Sequence, residues 1–131
     1  MNSEARGEDP VPDYILVTIS IFVPKESAPS PNLEGVRSVV RGPRKVYSLA
    51  KFRVIDPLPK QRSQEFNELL ARELESLGER GITAGWLEQT GSALRVYVSM
   101  VPAEGSASVE IDPVTLTLMS TMNASLLLDV P

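Results

Sequence analysis

The sequence predicts an α+β fold, a two-layer sandwich in which two helices cover one face of a mainly antiparallel sheet. Two observations predict this class. Two strand-like segments follow each other near the start of the chain with no helix between them, and only two later segments have the features of helices. Because helices cannot alternate with every strand, a purely parallel sheet is excluded. A ferredoxin-like arrangement satisfies this pattern, and 131 residues suit one domain.

The first predicted strand covers residues 14–23. Its alternate positions carry β-branched side chains, namely Ile15, Val17, Ile19, Ile21 and Val23. This period of two is typical of a strand with one buried face. The preceding residues 1–13 are predicted to form a flexible acidic tail, so the single α+β domain is assigned to residues 14–131.

A second strand is predicted after a loop rich in proline and serine at residues 25–35. Residues 36–40 are interpreted as a short strand or a turn. After the break at Gly42 and Pro43, apolar and polar residues alternate over 46–55, which predicts a strand with Tyr47 and Lys51 on the same face.

The clearest helix is predicted between Ser63, as its N-cap, and Gly78, as the residue after its end. Its apolar side chains recur with a period of 3.6 residues, and acidic side chains occupy the opposite side. The apolar stripe consists of Phe66, Leu69, Leu70, Leu74 and Leu77.

The last third of the chain predicts a hairpin, a helix and a final strand. The hairpin joins residues 82–86 to residues 94–100 through a turn at Gly91, and a short extended piece follows at 108–111. Asp112 followed by Pro113 is typical of a helix start. Val114, Leu118 and Met122 are predicted as the inner stripe of that helix, which Met119 widens and Asn123 ends. Residues 124–130 are predicted as the last strand.

The carboxyl-terminal half contains three patterns that occur together in a known family. They are the amphipathic helix at 65–77, the alternating strand at 94–100, and a closing strand, helix and apolar-acidic strand at 109–116 and 122–130. On these patterns the chain resembles the uncharacterised bacterial family catalogued as domain of unknown function 4279. The resemblance implies a small α+β fold and carries no established activity.

Composition excludes most familiar catalytic chemistry. The chain has no cysteine and no histidine, so it has no disulfide, thiolate nucleophile, Cys/His zinc site or imidazole base. We therefore expect a protein that is not an enzyme and that needs no cofactor or metal. The amino terminus is acidic and the longest apolar stretch has ten residues, so a secretory signal and a membrane span are not predicted. These features favour a cytoplasmic location.

The charges are strongly segregated along the chain. Residues 37–62 contain eight cations and one acid, a net charge of +7, which leaves −11 for the remainder of a chain whose total is −4. Guanidinium groups near a turn suit phosphate or carboxylate binding. The alternative interpretation is the solvated face of an edge strand. The candidate residues for binding an anion or a partner are Arg37, Arg41, Arg44, Lys45, Lys51 and Arg53.

Three aromatic residues are candidates for an interface on the uncovered sheet face, namely Tyr47, Trp86 and Tyr97. Such a face must be polar or contact a partner. For Trp86, a place in the core is the alternative. Glu88, Glu110 and Asp112 are a candidate carboxylate group for acid-base chemistry or cation binding, although Asp112 is also explained as a helix cap.

Three functions remain compatible with the sequence. The preferred hypothesis is a non-enzymatic interaction module of the adaptor, regulatory or toxin-neutralising type, which binds a protein partner or a second copy of itself. The alternative is a nucleic-acid or phosphate-ligand binder that uses the basic segment 37–62, although no known nucleic-acid motif occurs. The last is an enzyme that uses carboxylates alone.

Overall fold

The computed structural model describes residues 14–27, 30–55, 58–101 and 109–129. The described residues form a five-stranded mixed sheet and three helices, which confirms the predicted α+β class. The tail predicted at 1–13 lies outside the described residues. Of the extended piece predicted at 108–111, residue 108 also lies outside them, and residues 109–111 are not in a strand.

The strands are numbered here in chain order: β1 is Tyr14–Pro24, β2 is Ser38–Arg41, β3 is Arg44–Val54, β4 is Ala93–Val101 and β5 is Ser125–Asp129. The helices are α1 (Pro59–Glu79), α2 (Ala84–Thr90) and α3 (Pro113–Thr121), and a 3-10 turn covers Pro31–Leu33.

The sheet has the order β2-β3-β1-β4-β5, with β1 in the centre. All neighbouring strands are antiparallel except β4 and β5, which are parallel and are connected through α3. Three strands precede the first long helix, so the order of elements differs from the βαββαβ order of a ferredoxin-like fold.

The core lies between one face of the sheet and the helices. Alternate side chains of β1 are buried, as the sequence predicts, because they face α1. The inner stripe of α1 is buried against them through Phe66, Leu70, Leu74 and Leu77. Burial of large aliphatic and aromatic side chains is the main stabilising contribution in such a layer.

The predicted first strand of the hairpin is wrong, because Ala84–Thr90 is the helix α2. The hydroxyl of Thr83 accepts a hydrogen bond of 3.2 Å from the Trp86 N–H, and Gly91 ends the helix with φ at 67°. Alternation over five residues is too short to distinguish a strand from a helix, whereas the two capping residues favour the helix.

The predicted start of α1 is also wrong. The helix begins at Pro59 after Leu58, one turn before Ser63, and it continues through Gly78, the residue predicted to follow its end, to Glu79. Proline is accepted in the first turn of a helix because its missing N–H has no partner there. The hydroxyl of Ser63 instead accepts a hydrogen bond of 2.8 Å from the N–H of Glu110.

The start of α3 is confirmed, but its predicted inner stripe needs correction. The carboxylate of Asp112 accepts a hydrogen bond of 2.8 Å from the Thr115 N–H, which is the predicted cap. Val114 is 68% exposed, whereas Thr115 and Met119 are buried. Met119 and Met122 are buried as predicted, and Thr115 takes the inner place predicted for Val114. Among the described helices, none is both long and apolar enough to cross a membrane.

Candidate binding site on the open sheet face

One face of the sheet has no helix of the described residues packed on it, and we call it the open face. It carries the alternate residues of β1 that point away from the core, which are half-buried and include Thr18, Ser20 and Phe22. The open face is therefore accessible across β1, the central strand.

Five cations lie on the open face. In an antiparallel sheet, directly paired residues point to the same side. A cation on β3 or β4 therefore lies on this face when it pairs with an outward residue of β1. A cation on β2 lies on it when its partner on β3 does. The pairs are Arg53 with Leu16, Lys51 with Thr18, Arg44 with Pro24, Arg95 with Ser20 and, on β2, Arg41 with Arg44.

A β-bulge decides which half of β3 faces outward. Ile19 pairs with Ala50 but Ser20 pairs with Ser48, so Leu49 is an extra residue in β3. An extra residue reverses the faces on one side of the bulge. Because of it, Arg44 shares the open face with Lys51 although their separation along the chain is an odd number of residues.

One carboxylate occurs among the described strands, that of Asp129 at the end of β5. Its Oδ2 accepts a hydrogen bond of 2.7 Å from the hydroxyl of Tyr97. That hydrogen bond, with desolvation and the negative charge of Asp129, raises the pKa of Tyr97 above its ordinary value of 10.0. The phenol is neutral at physiological pH even at the ordinary value, so it carries no charge into the site.

A cavity of about 530 Å³ lies in the open face. Two guanidinium groups, four hydroxyl groups and four apolar side chains line it. They are Arg41 and Arg95; Thr18, Ser20, Ser48 and Tyr97; and Phe22, Val39, Val46 and Leu127. Guanidinium and hydroxyl donors suit an anionic group, and the apolar side chains suit a hydrocarbon or aromatic portion of the same ligand.

Two of the arginines are held by aromatic rings. The guanidinium carbon of Arg95 lies 4.6 Å from the centre of the Phe22 ring, and that of Arg53 lies 4.8 Å from the centre of the Tyr14 ring. This stacking restricts the guanidinium orientation while its N–H edges can donate to an anion.

The predicted basic residues are divided between the two faces. Arg41, Arg44, Lys51 and Arg53 share the open face. Lys45 pairs with the buried Val23, so it lies on the helix-covered face. Arg37 precedes β2 and is exposed.

The predicted interface aromatics are divided in the same way. Tyr97 lines the open-face cavity. Tyr47 and Trp86 do not lie there; they line a separate cavity of about 320 Å³ together with Lys45 and Gln89. Tyr47 is paired with the buried Ile21, because the bulge at Leu49 moves it to the helix-covered face.

Sequence reasoning missed Arg95, Phe22 and Tyr14 as members of this site. Alternation within β4 is a signal that Arg95 faces outward, but its neighbours come from strands distant along the chain. Residues so far apart in sequence are brought together only by the strand order.

The predicted carboxylate group is not assembled. Glu88 lines a cavity beside Leu94 and Met122, whereas Glu110 and Asp112 line another cavity next to α1. Within the part of the chain that the structure describes, no three acidic side chains are placed to hold a metal ion.

No protein-family model, curated protein or solved structure matches the chain. The resemblance of the carboxyl-terminal half to domain of unknown function 4279 therefore stays a prediction.

Proposed function

We propose that this protein is a non-enzymatic interaction module whose open face binds an extended acidic segment of a protein partner. The observation that carries the proposal is the location of five cations on one uncovered sheet face, where Asp129, the one carboxylate of the described strands, accepts a hydrogen bond from Tyr97. Such a face attracts acidic segments and repels basic ones.

The composition of the cavity favours a protein partner over a nucleic acid. Apolar side chains such as Val39, Val46 and Leu127 lie among the donors, and a surface that combines apolar and polar groups is typical of protein interfaces. Base stacking needs accessible aromatic faces. On this face, guanidinium groups lie over the rings of Tyr14 and Phe22, so of the aromatic rings described there Tyr97 alone has no guanidinium stacked on it.

The spacing of the cations favours an extended ligand with several acidic groups. Arg41 is on the edge strand β2 and Arg95 is on β4, so three strand spacings separate them. At about 4.8 Å for each spacing, the separation across the sheet is about 14 Å. An extended acidic peptide is long enough to span this separation between the two strands and to place one carboxylate near each arginine.

The test uses a fluorescent ten-residue peptide of alternating glutamate and leucine, with binding measured by anisotropy. We expect Arg41→Glu with Arg95→Glu to weaken binding at least about tenfold, which corresponds to about 1.4 kcal/mol. Added salt should also weaken binding, because the contacts are between exposed charges. The matched control is Lys60→Glu with Arg72→Glu, which reverses two exposed cations on α1.

Two results would contradict the proposal. Equal loss of affinity in the open-face and α1 variants would show that net charge, and not this face, determines binding. Tighter binding of a ten-nucleotide poly-dT, abolished by the same open-face variant, would assign the face to nucleic acid instead.

A further inference from the structure

We propose that the acidic amino-terminal segment, residues 1–13, docks on the open face of its own chain and competes there with the acidic partner. The competition rests on the proposed function, whereas the docking does not. The segment would act as an internal regulator, because any partner must displace it before binding.

Charge complementarity supports this occupant. The segment contains Glu4, Glu8, Asp9 and Asp13 and one cation, Arg6. The open face presents the opposite balance, five cations and one carboxylate. The other acidic groups of the described chain lie on helices and connecting segments, so the face is the place where the segment finds an excess of positive charge.

The attachment point places the segment at the open face. Residue 13 leads directly into Tyr14, the first residue of the central strand β1. The ring of Tyr14 lies under the guanidinium of Arg53, at the edge of the cationic surface. A short tether of this kind gives an effective concentration in the millimolar range, so even weak ionic contacts suffice for docking.

The length of the segment matches the length of the face. Pro10 and Pro12 favour extended backbone for themselves and for the residues before them. At about 3.1 Å per residue, the chain from Asp13 back to Glu4 spans about 28 Å. Along β1, Tyr14 and Phe22 are about 26 Å apart at 3.3 Å per residue. If the chain reverses direction at its junction with Tyr14, this length allows Asp13 to lie near Arg53 while Glu4 reaches the cavity.

The docking can be tested with a spin label, because the chain has no cysteine and one can be introduced as Ser3→Cys. A nitroxide at this position should broaden the methyl signals of Val39, Val46 and Leu127 on the open face. The methyl signals of Leu69 and Leu77 on α1 should remain sharper. High salt should remove the difference.

Two variants of the chain separate specific docking from a general effect of charge. Glu4→Gln, Glu8→Gln, Asp9→Asn and Asp13→Asn together should abolish the broadening. The control removes four charges from α1 through Glu65→Gln, Glu68→Gln, Glu73→Gln and Glu75→Gln, and it should leave the broadening unchanged. Equal broadening of the open-face and α1 methyl groups, or no effect of the first variant, would overturn the docking.

A mixed sample tests a second copy as the occupant. Isotope-labelled chains without the nitroxide are mixed with unlabelled chains that carry it. In the first experiment, the nitroxide and the isotope label are on the same chain. Equal broadening in the mixed sample would show that the segment docks on another molecule, which would overturn the intramolecular proposal.

The competition is measured with the glutamate-leucine peptide. The variant chain with the neutralised segment should bind the peptide about tenfold more tightly than the unaltered chain, because the internal competitor is removed. An unchanged affinity would overturn the competition. If the methyl groups broaden and no form of the chain binds the peptide, the proposed function and the competition both fail while the docking stands.

Discussion

The hydroxyl of Tyr97 donates a hydrogen bond of 2.7 Å to Oδ2 of Asp129, which connects β4 to the edge strand β5 on the open face. Tyr97 is paired in register with Leu127, so the bond reaches two residues further along β5. It fixes the carboxylate of Asp129 at the border of the cationic surface.

This contact predicts an elevated pKa for Tyr97, above the ordinary value of 10.0. We expect Asp129→Ala to lower that pKa toward the ordinary value, because the hydrogen bond and the adjacent negative charge are both removed. The pKa can be measured from the 13Cζ chemical shift of labelled tyrosine, with Tyr97→Phe identifying the signal. Glu88→Gln removes a carboxylate on α2 and is the control that should leave this pKa unchanged.

The raised pKa of Tyr97 also predicts how the stability of the fold changes with pH. A pKa raised in the folded state favours the neutral phenol, so its contribution is fully present below the unfolded pKa of about 10. It is lost as the pH rises through the higher folded pKa. The free energy of unfolding of the unaltered protein should therefore fall more steeply in alkaline solution than that of Asp129→Ala. Urea titrations at increasing pH measure both values. The same dependence on pH in the two proteins would contradict this prediction.

Phe66 is predicted to be the most costly single position in α1. Its side chain is 0% exposed within the core between α1 and the sheet. Phe66→Ala should reduce the free energy of unfolding by about 3–5 kcal/mol, through lost burial and the cavity left behind. Urea denaturation measures the change. Glu68→Ala, on the exposed side of the helix, should stay within about 0.5 kcal/mol; similar losses for both variants would place Phe66 outside the core.

The hydroxyl of Thr83 is predicted to stabilise α2, the helix that the sequence alternation misassigned. Thr83→Ala should cost about 1 kcal/mol, because the Trp86 N–H loses its capping acceptor. Thr117 provides a matched control. Its hydroxyl donates to the carbonyl of Pro113 within α3, so it does not cap an N–H group at the end of the helix. Thr117→Ala should be neutral or slightly stabilising. A greater loss at Thr117 would contradict the assigned cap.

Asn67 is predicted to hold the segment before α3 against α1. Its Nδ2 donates to the carbonyls of Ser63 and Glu110, both at 2.7 Å, and its Oδ1 accepts from the Asp112 N–H at 3.0 Å. The side chain is buried.

Asn67→Ala should cost about 1–3 kcal/mol, because it leaves backbone groups without their partner. It should also accelerate hydrogen exchange at the Asp112 amide. Gln64→Ala, an exposed neighbour on α1, is the control. Slow exchange retained in Asn67→Ala would show that the segment is held by other contacts.

Much of the fold follows from local patterns. Residues 14–23 are a strand because β-branched side chains alternate over ten positions, and the stripe from Phe66 to Leu77 is long enough to distinguish a helix from a strand. The seven residues of α2 are too few for periodicity to decide. The start of α1 was misplaced because Ser63 can cap a helix, yet its hydroxyl binds the Glu110 N–H in the folded chain.

The candidate site was predicted in part. The excess of cations in residues 37–62 is visible in the sequence, and four of the six candidate cations share the open face. The placement of Tyr47 and Lys45 was beyond sequence reasoning, because it depends on a bulge that no local signal marks.

The sequence by itself determined the composition of this protein's surfaces: no histidine or cysteine, and positive charge concentrated in one part of the chain. Tertiary structure alone decided which charges meet. The extra residue Leu49 brings Arg44 to the same face as Lys51, and pairing of β4 with β1 adds Arg95. The physical reason is that side chains alternate with a period of two, so one additional residue reverses a face, and strand pairing joins residues that no local pattern connects.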